Sequence, residues 1–357
     1  MSRLKTLMQL LPDGADAALL ISNENRRYFT NFVSSLGYLL VTKVEAYLLV
    51  DSRYAEAAQK QAKDCVIKPF VRLSDSIHEI VKMHNIKNVL LEGSAFTIND
   101  AKKMEELFGE CGVAVQKTSE LNCIVERMRI IKSADEIEKM IKAQRLTEEA
   151  FEDTLNHLAV GMTERDVALD LEYRMRKLGA DGVSFDLITI SGAKTSMPHG
   201  VPDNKKIEKG DFVLFDIGAT FEGYHSDMTR TVAMGNISDK QKFVYQVVLD
   251  AQMRGLQKVK AGVTCGDVDE ACRSYIYQAG FEGKFGHSTG HGVGLEIHEK
   301  PTVSPENEKV LKSGMVITIE PGIYLPEEFG VRIEDMVVVT EDGCIDLTNS
   351  PKELRIL

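Results

Sequence analysis

The chain has 357 residues, 43% of them hydrophobic and 27% charged, with a net charge of -11. That length accommodates two domains, each with its own core, and the balance is that of an ordinary soluble globular protein. The negative excess offers no electrostatic attraction to nucleic acid or to an anionic membrane, so neither is expected as a partner.

In chain order, Met1 to Leu20 mixes Arg3, Lys5, Asp13 and Asp16 into its apolar residues. No signal peptide or membrane span is read there, and the cytoplasm is expected. Apolar runs at Ala17–Ile21, Tyr38–Val41, Ala46–Val50 and Asn88–Leu91 predict strands, and Arg53–Lys63 and Ser74–His84 read as helices. This alternation predicts an α/β domain with a mixed sheet. Strand signals stop near Glu120 to Arg129, and the expected division is residues 1–124 and 125–357.

The second region opens on a capping box, Ser133-Ala134-Asp135-Glu136, followed by Ile137, Met140, Ile141, Phe151 and Leu155 at helical spacing. Ser238-Asp239-Lys240-Gln241 starts a second helix that Gly262 stops, and a third is expected near Asp267 to Ala279, ending at Gly280. The six cysteines (65, 111, 123, 265, 272 and 344) contain no Cys-x-x-Cys pair. They read as thiols of a reducing compartment, with Cys265 and Cys272 as packing residues.

Two stretches resemble each other. Lys209 to Gly218 and Lys312 to Gly322 each run through a turn, an apolar strand, a carboxylate (Asp216, Glu320) and a glycine. Each precedes a second strand bearing another carboxylate, Asp227 and Glu334 respectively. The match hints at an internal repeat that would bring two strand pairs about a shared centre. A carboxylate ending an apolar strand is costly to bury unless paired or bound to a cation. Four of them converging would repel one another, and two divalent cations would cancel their charge. Between the two stretches, Gly286-His287-Ser288-Thr289-Gly290-His291-Gly292-Val293-Gly294-Leu295-Glu296-Ile297-His298 holds three of the eight histidines. Its glycines disfavour a helix and let the backbone approach something closely, so it reads as a metal or substrate cradle. His291 would complete five protein ligands. One imidazole among oxygens suits Mn²⁺, Co²⁺, Fe²⁺ or Zn²⁺, and a pair of such ions roughly 3.5–4 Å apart supports hydrolytic chemistry.

With these residues in this order, the chain resembles the pita-bread metallopeptidases, in the branch of Xaa-Pro dipeptidase (prolidase) and aminopeptidase P. The resemblance rests on Phe215–Ala219, Ser226–Thr231, Thr289–Gly294, Ile319–Tyr324 and Val331–Asp335. More softly, Asn25–Phe32 and Val50–Tyr54 resemble the non-catalytic amino-terminal domain of that family. The resemblance implies that Asp216 binds one metal ion, that His291 and Glu320 bind another, and that Asp227 and Glu334 bridge both. Glu320 would be the general base. His287 and His298 would orient the substrate carbonyl and assist the leaving nitrogen, His199 would bind substrate near proline, and Arg332 would support the bridging Glu334 and the substrate's polar end. Two divalent ions per chain (manganese first, then cobalt, zinc or iron), short proline-containing peptides and a homodimer are the implied partners. A methionyl aminopeptidase shares the five ligands, but the long amino-terminal region favours the Xaa-Pro branch. A non-catalytic peptide-binding protein of this fold would be expected to have lost ligands.

Overall fold

The computed structural model describes residues 2–357. The chain forms two compact units, one ending at Arg129 and the other running Ile130–Leu357.

The first unit contains helices α1 (Arg3–Leu10), α2 (Asn23–Thr30), α3 (Ala55–Gln61), α4 (Leu73–His84), α5 (Ile98–Gly109) and α6 (Glu120–Arg129). Its strands are β1 (Ala17–Leu20), β2 (Tyr38–Thr42), β3 (Ala46–Val50), β4 (Val66–Pro69), β5 (Asn88–Leu91) and β6 (Ala114–Gln116), in the sheet order β4-β3-β2-β1-β5-β6. β1 runs antiparallel to β2 and parallel to β5, so the sheet is mixed, as the apolar runs predict. Leu19, Leu40 and Leu49 pack on Ile77, Ile80 and Phe108. The division of the chain falls after α6 rather than inside it. Tyr28 Oη donates to Met128 O at 2.8 Å and Arg129 donates to Asn25 Oδ1 at 2.8 Å, which ties that helix to the first unit.

The second unit opens with α7 (Ala134–Leu155), capped by the Ser133/Glu136 box, and α8 (Glu164–Leu178). The strands follow as β7 (Gly182–Val183), β8 (Ile188–Ser191), β9 (Phe212–Ile217), β10 (Ala219–Phe221), β11 (Tyr224–His225) and β12 (Met228–Ala233). Next come α9 (Asp239–Lys258), capped by Ser238/Gln241, and α10 (Cys265–Ile276). Last are β13 (Gly290–Gly292), β14 (Glu299–Val303), β15 (Val316–Ile319), β16 (Gly322–Leu325), β17 (Phe329–Arg332), β18 (Asp335–Val339) and β19 (Cys344–Asp346).

The internal repeat is real and extends beyond the strands. β9 and β12 pair antiparallel, as do β15 and β18. Behind the first pair, α7 and α8 bury Phe151, Leu171 and Met175 against Phe215 and Val232. Behind the second, α9 and α10 bury Val248, Cys265, Cys272 and Ile276 against Ile317, Ile319 and Val337. The two pairs meet at a bridge between Thr229 and Glu334. Arg230, almost fully buried, fastens that seam by donating to Glu334 O at 2.7 Å and Asp335 Oδ1 at 2.7 Å.

The glycines beside His291 have a structural cause. A Cβ at Gly290 would lie 1.9 Å from Thr318 O, and one at Gly292 would lie 2.3 Å from Lys300 O. The close approach is to the backbones of β15 and β14, between which β13 runs. Gly290→Ala should therefore force those strands apart and lower the thermal midpoint by roughly 2–12 °C, as overpacking of ~1–3 kcal/mol does at this size. Gly286→Ala, where nothing lies within 4 Å, should leave the melting curve unchanged.

Candidate metal centre

The seam between the two strand pairs brings the sequence-predicted ligands together. Asp216 lies on β9, Asp227 just before β12, Glu320 just after β15 and Glu334 just before β18. His291 sits mid-strand on β13, opposite Thr302 of β14. Its Nε2 approaches Asp227 Oδ2 at 3.4 Å and Glu320 Oε1 at 3.5 Å. Ligand atoms of Asp227, His291 and Glu334 fall within 4.8 Å of one another. All five line one cavity of about 780 Å³, together with His199, His287, His298 and Arg332.

Each side chain is aimed by a neighbour. His291 Nδ1 lies 3.0 Å from Gly292 O. A carbonyl there requires the proton on Nδ1, which leaves the Nε2 lone pair facing the carboxylates, the tautomer a metal ligand needs. Thr229 Oγ1 donates to Glu334 Oε2 at 2.7 Å, and Thr318 Oγ1 to Glu320 Oε1 at 3.3 Å. Arg332 donates to Asp216 Oδ2 at 2.6 Å, to Tyr324 Oη at 2.7 Å and to Thr229 Oγ1 at 3.1 Å. Its ligand contact is thus Asp216 rather than the expected Glu334, which it reaches only through Thr229, and its three nitrogens are occupied by protein groups.

His287 Nδ1 lies 2.8 Å from Ser288 O and its Nε2 lies 2.8 Å from Tyr324 Oη. The carbonyl holds the proton on Nδ1, so Nε2 accepts from the tyrosine. Burial, then the Arg332 charge, pushes the His287 imidazole down to about 4, which keeps it neutral. The ring of His298 stacks edge-on against His291, with centroids 4.4 Å apart. Neither His298 nor His199 donates to or accepts from a protein group among the described residues, and both border the cavity. His225, on β11, is half-buried.

Charge crowding dominates the electrostatics. Asp227 and Glu334 are 3% and 2% exposed. Burial, reinforced by the neighbouring carboxylates, raises the Asp227 and Glu334 carboxyls well above the usual range. Glu320 is pushed up to about 7, by burial first, with Arg332 opposing and Asp216 adding to the rise. Burial works against the charge of Arg332, yet Tyr324 and the surrounding acids hold it firmly protonated. One guanidinium faces four carboxylates, so an excess of negative charge remains. Oxygen donors, one correctly tautomerised imidazole and that excess together fit divalent cations.

Tyr324, Thr229 and Thr318 carry no sequence signal beyond their proximity to ligands. Their roles arise from contacts between segments distant along the chain.

Comparison with known proteins agrees with this geometry. Residues 138–341 match metallopeptidase family M24, and residues 2–131 match the creatinase/prolidase N-terminal domain. The chain belongs to the M24 metallopeptidases. The Xaa-Pro dipeptidase of Pyrococcus furiosus is 39% identical over 99% of this peptidase and 99% of its own length. The solved structure of an Xaa-Pro dipeptidase from Bacillus anthracis superposes with a TM-score of 0.94 at 41% identity, covering 99% of this chain and 100% of that one. That of an X-Pro aminopeptidase from Thermotoga maritima gives 0.92 at 37% identity, covering 99% and 100%. The second unit is accordingly the pita-bread catalytic domain of a metal-dependent hydrolase.

Divalent ions that bind only the folded peptidase stabilise it by mass action. Chelation should therefore lower its thermal midpoint, and excess Mn²⁺ or Co²⁺ should restore it. Asp227→Asn and Glu334→Gln should abolish that response, as read by differential scanning calorimetry.

Proposed function

We propose that this peptidase hydrolyses the Xaa-Pro bond at the amino terminus of short peptides, using two divalent ions per chain. The observation that carries the reading is the gathering of Asp216, Asp227, His291, Glu320 and Glu334 in one cavity that Pro198, His199 and Pro202 also line. The relatives named as acting on Xaa-Pro peptides support the choice of substrate.

In this proposal Asp216, Asp227, His291, Glu320 and Glu334 would hold the ions. When bound, such ions supply Lewis acidity toward the scissile carbonyl and lower the pKa of water. Glu320 takes the water proton and returns it toward the leaving prolyl nitrogen. His298 and His199, whose ring nitrogens are not spent on protein groups, contact the substrate, His298 toward the carbonyl and His199 toward the proline. His287, neutral and bonded to Tyr324, forms the polar wall beside them. Arg332 holds Asp216 and Tyr324 in place.

The oxygen-rich donor set favours manganese, with cobalt, zinc or iron as substitutes. Six free cysteines suit a reducing cytoplasm, and no described helix is long and apolar enough to cross a membrane. A homodimer is proposed from the family resemblance.

The test is a parallel assay of metal-stripped and reloaded protein on Ala-Pro, Ala-Pro-Ala and Met-Ala-Ser. Cleavage of Ala-Pro alone identifies a dipeptidase, and release of alanine from Ala-Pro-Ala identifies an aminopeptidase. Cleavage of Met-Ala-Ser alone, or of nothing despite bound metal, defeats the reading. His298→Ala should retain both ions by atomic emission while kcat falls about a hundredfold, within the range of lost acid–base or polarising groups. Loss of metal in that variant would make His298 structural instead.

A further inference from the structure

Part of the cavity lining is a single loop. Residues Pro198 to Pro202 all border the cavity, and His199, in their middle, is exposed and makes no hydrogen bond to protein among the described residues. No side chain of residues 196–202 joins the two hydrophobic clusters of this unit; Gly200 is buried beside Ile190, Pro198 O accepts from Arg332 at 3.5 Å, and Met197 and Val201 are 58% and 74% exposed. Such a loop, left to itself, would sample many conformations and hold His199 poorly.

Its two ends are nevertheless fastened to one buried carboxylate. Glu164, the first residue of α8, is 1% exposed. Its Oε1 accepts from Ser191 N at 2.7 Å and Ser191 Oγ at 3.1 Å, on the incoming side of the loop. Its Oε2 accepts from Lys194 Nζ at 2.7 Å and from Asp203 N at 3.4 Å, the latter on the outgoing side. Lys194 closes the ring with Asp203 Oδ2 at 2.8 Å. The backbone repeats the pattern, with Glu164 N donating to Lys205 O and Arg165 N to Asp203 O, each at 3.0 Å. None of these residues is a predicted metal ligand.

A charged carboxylate withdrawn from water must be fully bonded to be tolerated, and here every bond goes to a flank of the same loop. We propose that Glu164 is a positioning residue: it clamps both ends of the His199 loop against the cavity, and substrate affinity depends on it while metal binding does not. The assignment of substrate contact to His199 rests on the Xaa-Pro reading above; the mechanical role of the clamp does not.

The experiment is a double-mutant cycle with Glu164→Ala and His199→Ala, accompanied by Glu164→Gln. Kinetics on Ala-Pro, bound metal, and amide hydrogen exchange of the segment 195–202 by mass spectrometry are measured on the full chain. Glu164→Ala should raise KM about tenfold or more, as displacement of a positioning group does, with kcat changed by no more than about threefold. Metal content should be unchanged and exchange across 195–202 faster. Glu164→Gln, which keeps an acceptor for Ser191 N, should recover most of the affinity. In the His199→Ala background, Glu164→Ala should add little further loss, because coupled residues are not additive.

Additive losses in KM, or a fall in kcat together with metal, would overturn the proposal. Unchanged exchange in 195–202 would overturn the clamp itself. If Glu164→Ala does not fold, Lys194→Met removes one arm from a partly exposed position and should show the same non-additivity with His199→Ala. If the wild-type protein cleaves no Xaa-Pro peptide, the substrate reading fails, and the exchange measurement still decides the clamp.

Discussion

Four carboxylates and an imidazole are forced into one buried volume, and much of the second unit can be understood as the scaffold that holds them there against their repulsion. Two like charges about 4 Å apart repel by roughly 4 kcal/mol at an effective dielectric constant near 20. No flexible loop could hold several such pairs together. The acids are instead mounted at the ends of paired strands, on β9, just after β15 and immediately before β12 and β18, where the ladder hydrogen bonds fix the backbone. Behind each pair lies a hydrophobic core with two helices, and across the seam Arg230 bonds to the backbone of Glu334 and to the carboxylate of Asp335.

The same constraint explains the surroundings of the ligands. Thr229 and Thr318 each donate to a carboxylate without adding charge, and among the described residues Arg332 is the one guanidinium placed directly on a ligand. Gly292 O fixes the tautomer of His291, so the lone pair rather than a proton meets the acids. The glycines flanking that histidine serve the packing of three adjacent strands. Their sequence reading as a cradle for a ligand named the right place for a partly different reason.

Legibility followed the physics of each element. Apolar runs such as Ala46–Val50 and the Ser133 and Ser238 capping boxes were read at their observed positions, because burial and capping are local signals. β4 and β6 were not read, since each lies at an edge of the sheet, is exposed or half-buried, and has few apolar residues, with Lys68 and Pro69 ending β4. α2 escaped because Asn23–Thr30 is mostly polar and is held by tertiary contacts, among them Asn25 and Arg26 buried in hydrogen bonds. The five ligand candidates stood out through their repeat and spacing. Tyr324, Thr229 and Glu164 did not, because their importance lies in partners brought near only by the fold.

The distribution of the ligands along the chain also bears on how the enzyme comes into being. Asp216 and Asp227 emerge from the ribosome well before His291, and Glu334 follows only after β15, β16 and β17 have been made. A nascent chain that has completed the first strand pair holds two aspartates with neither the imidazole nor the glutamates to complete the centre. Peptide-cleaving power is thus withheld throughout synthesis and arrives only when the second half of the repeat docks on the first.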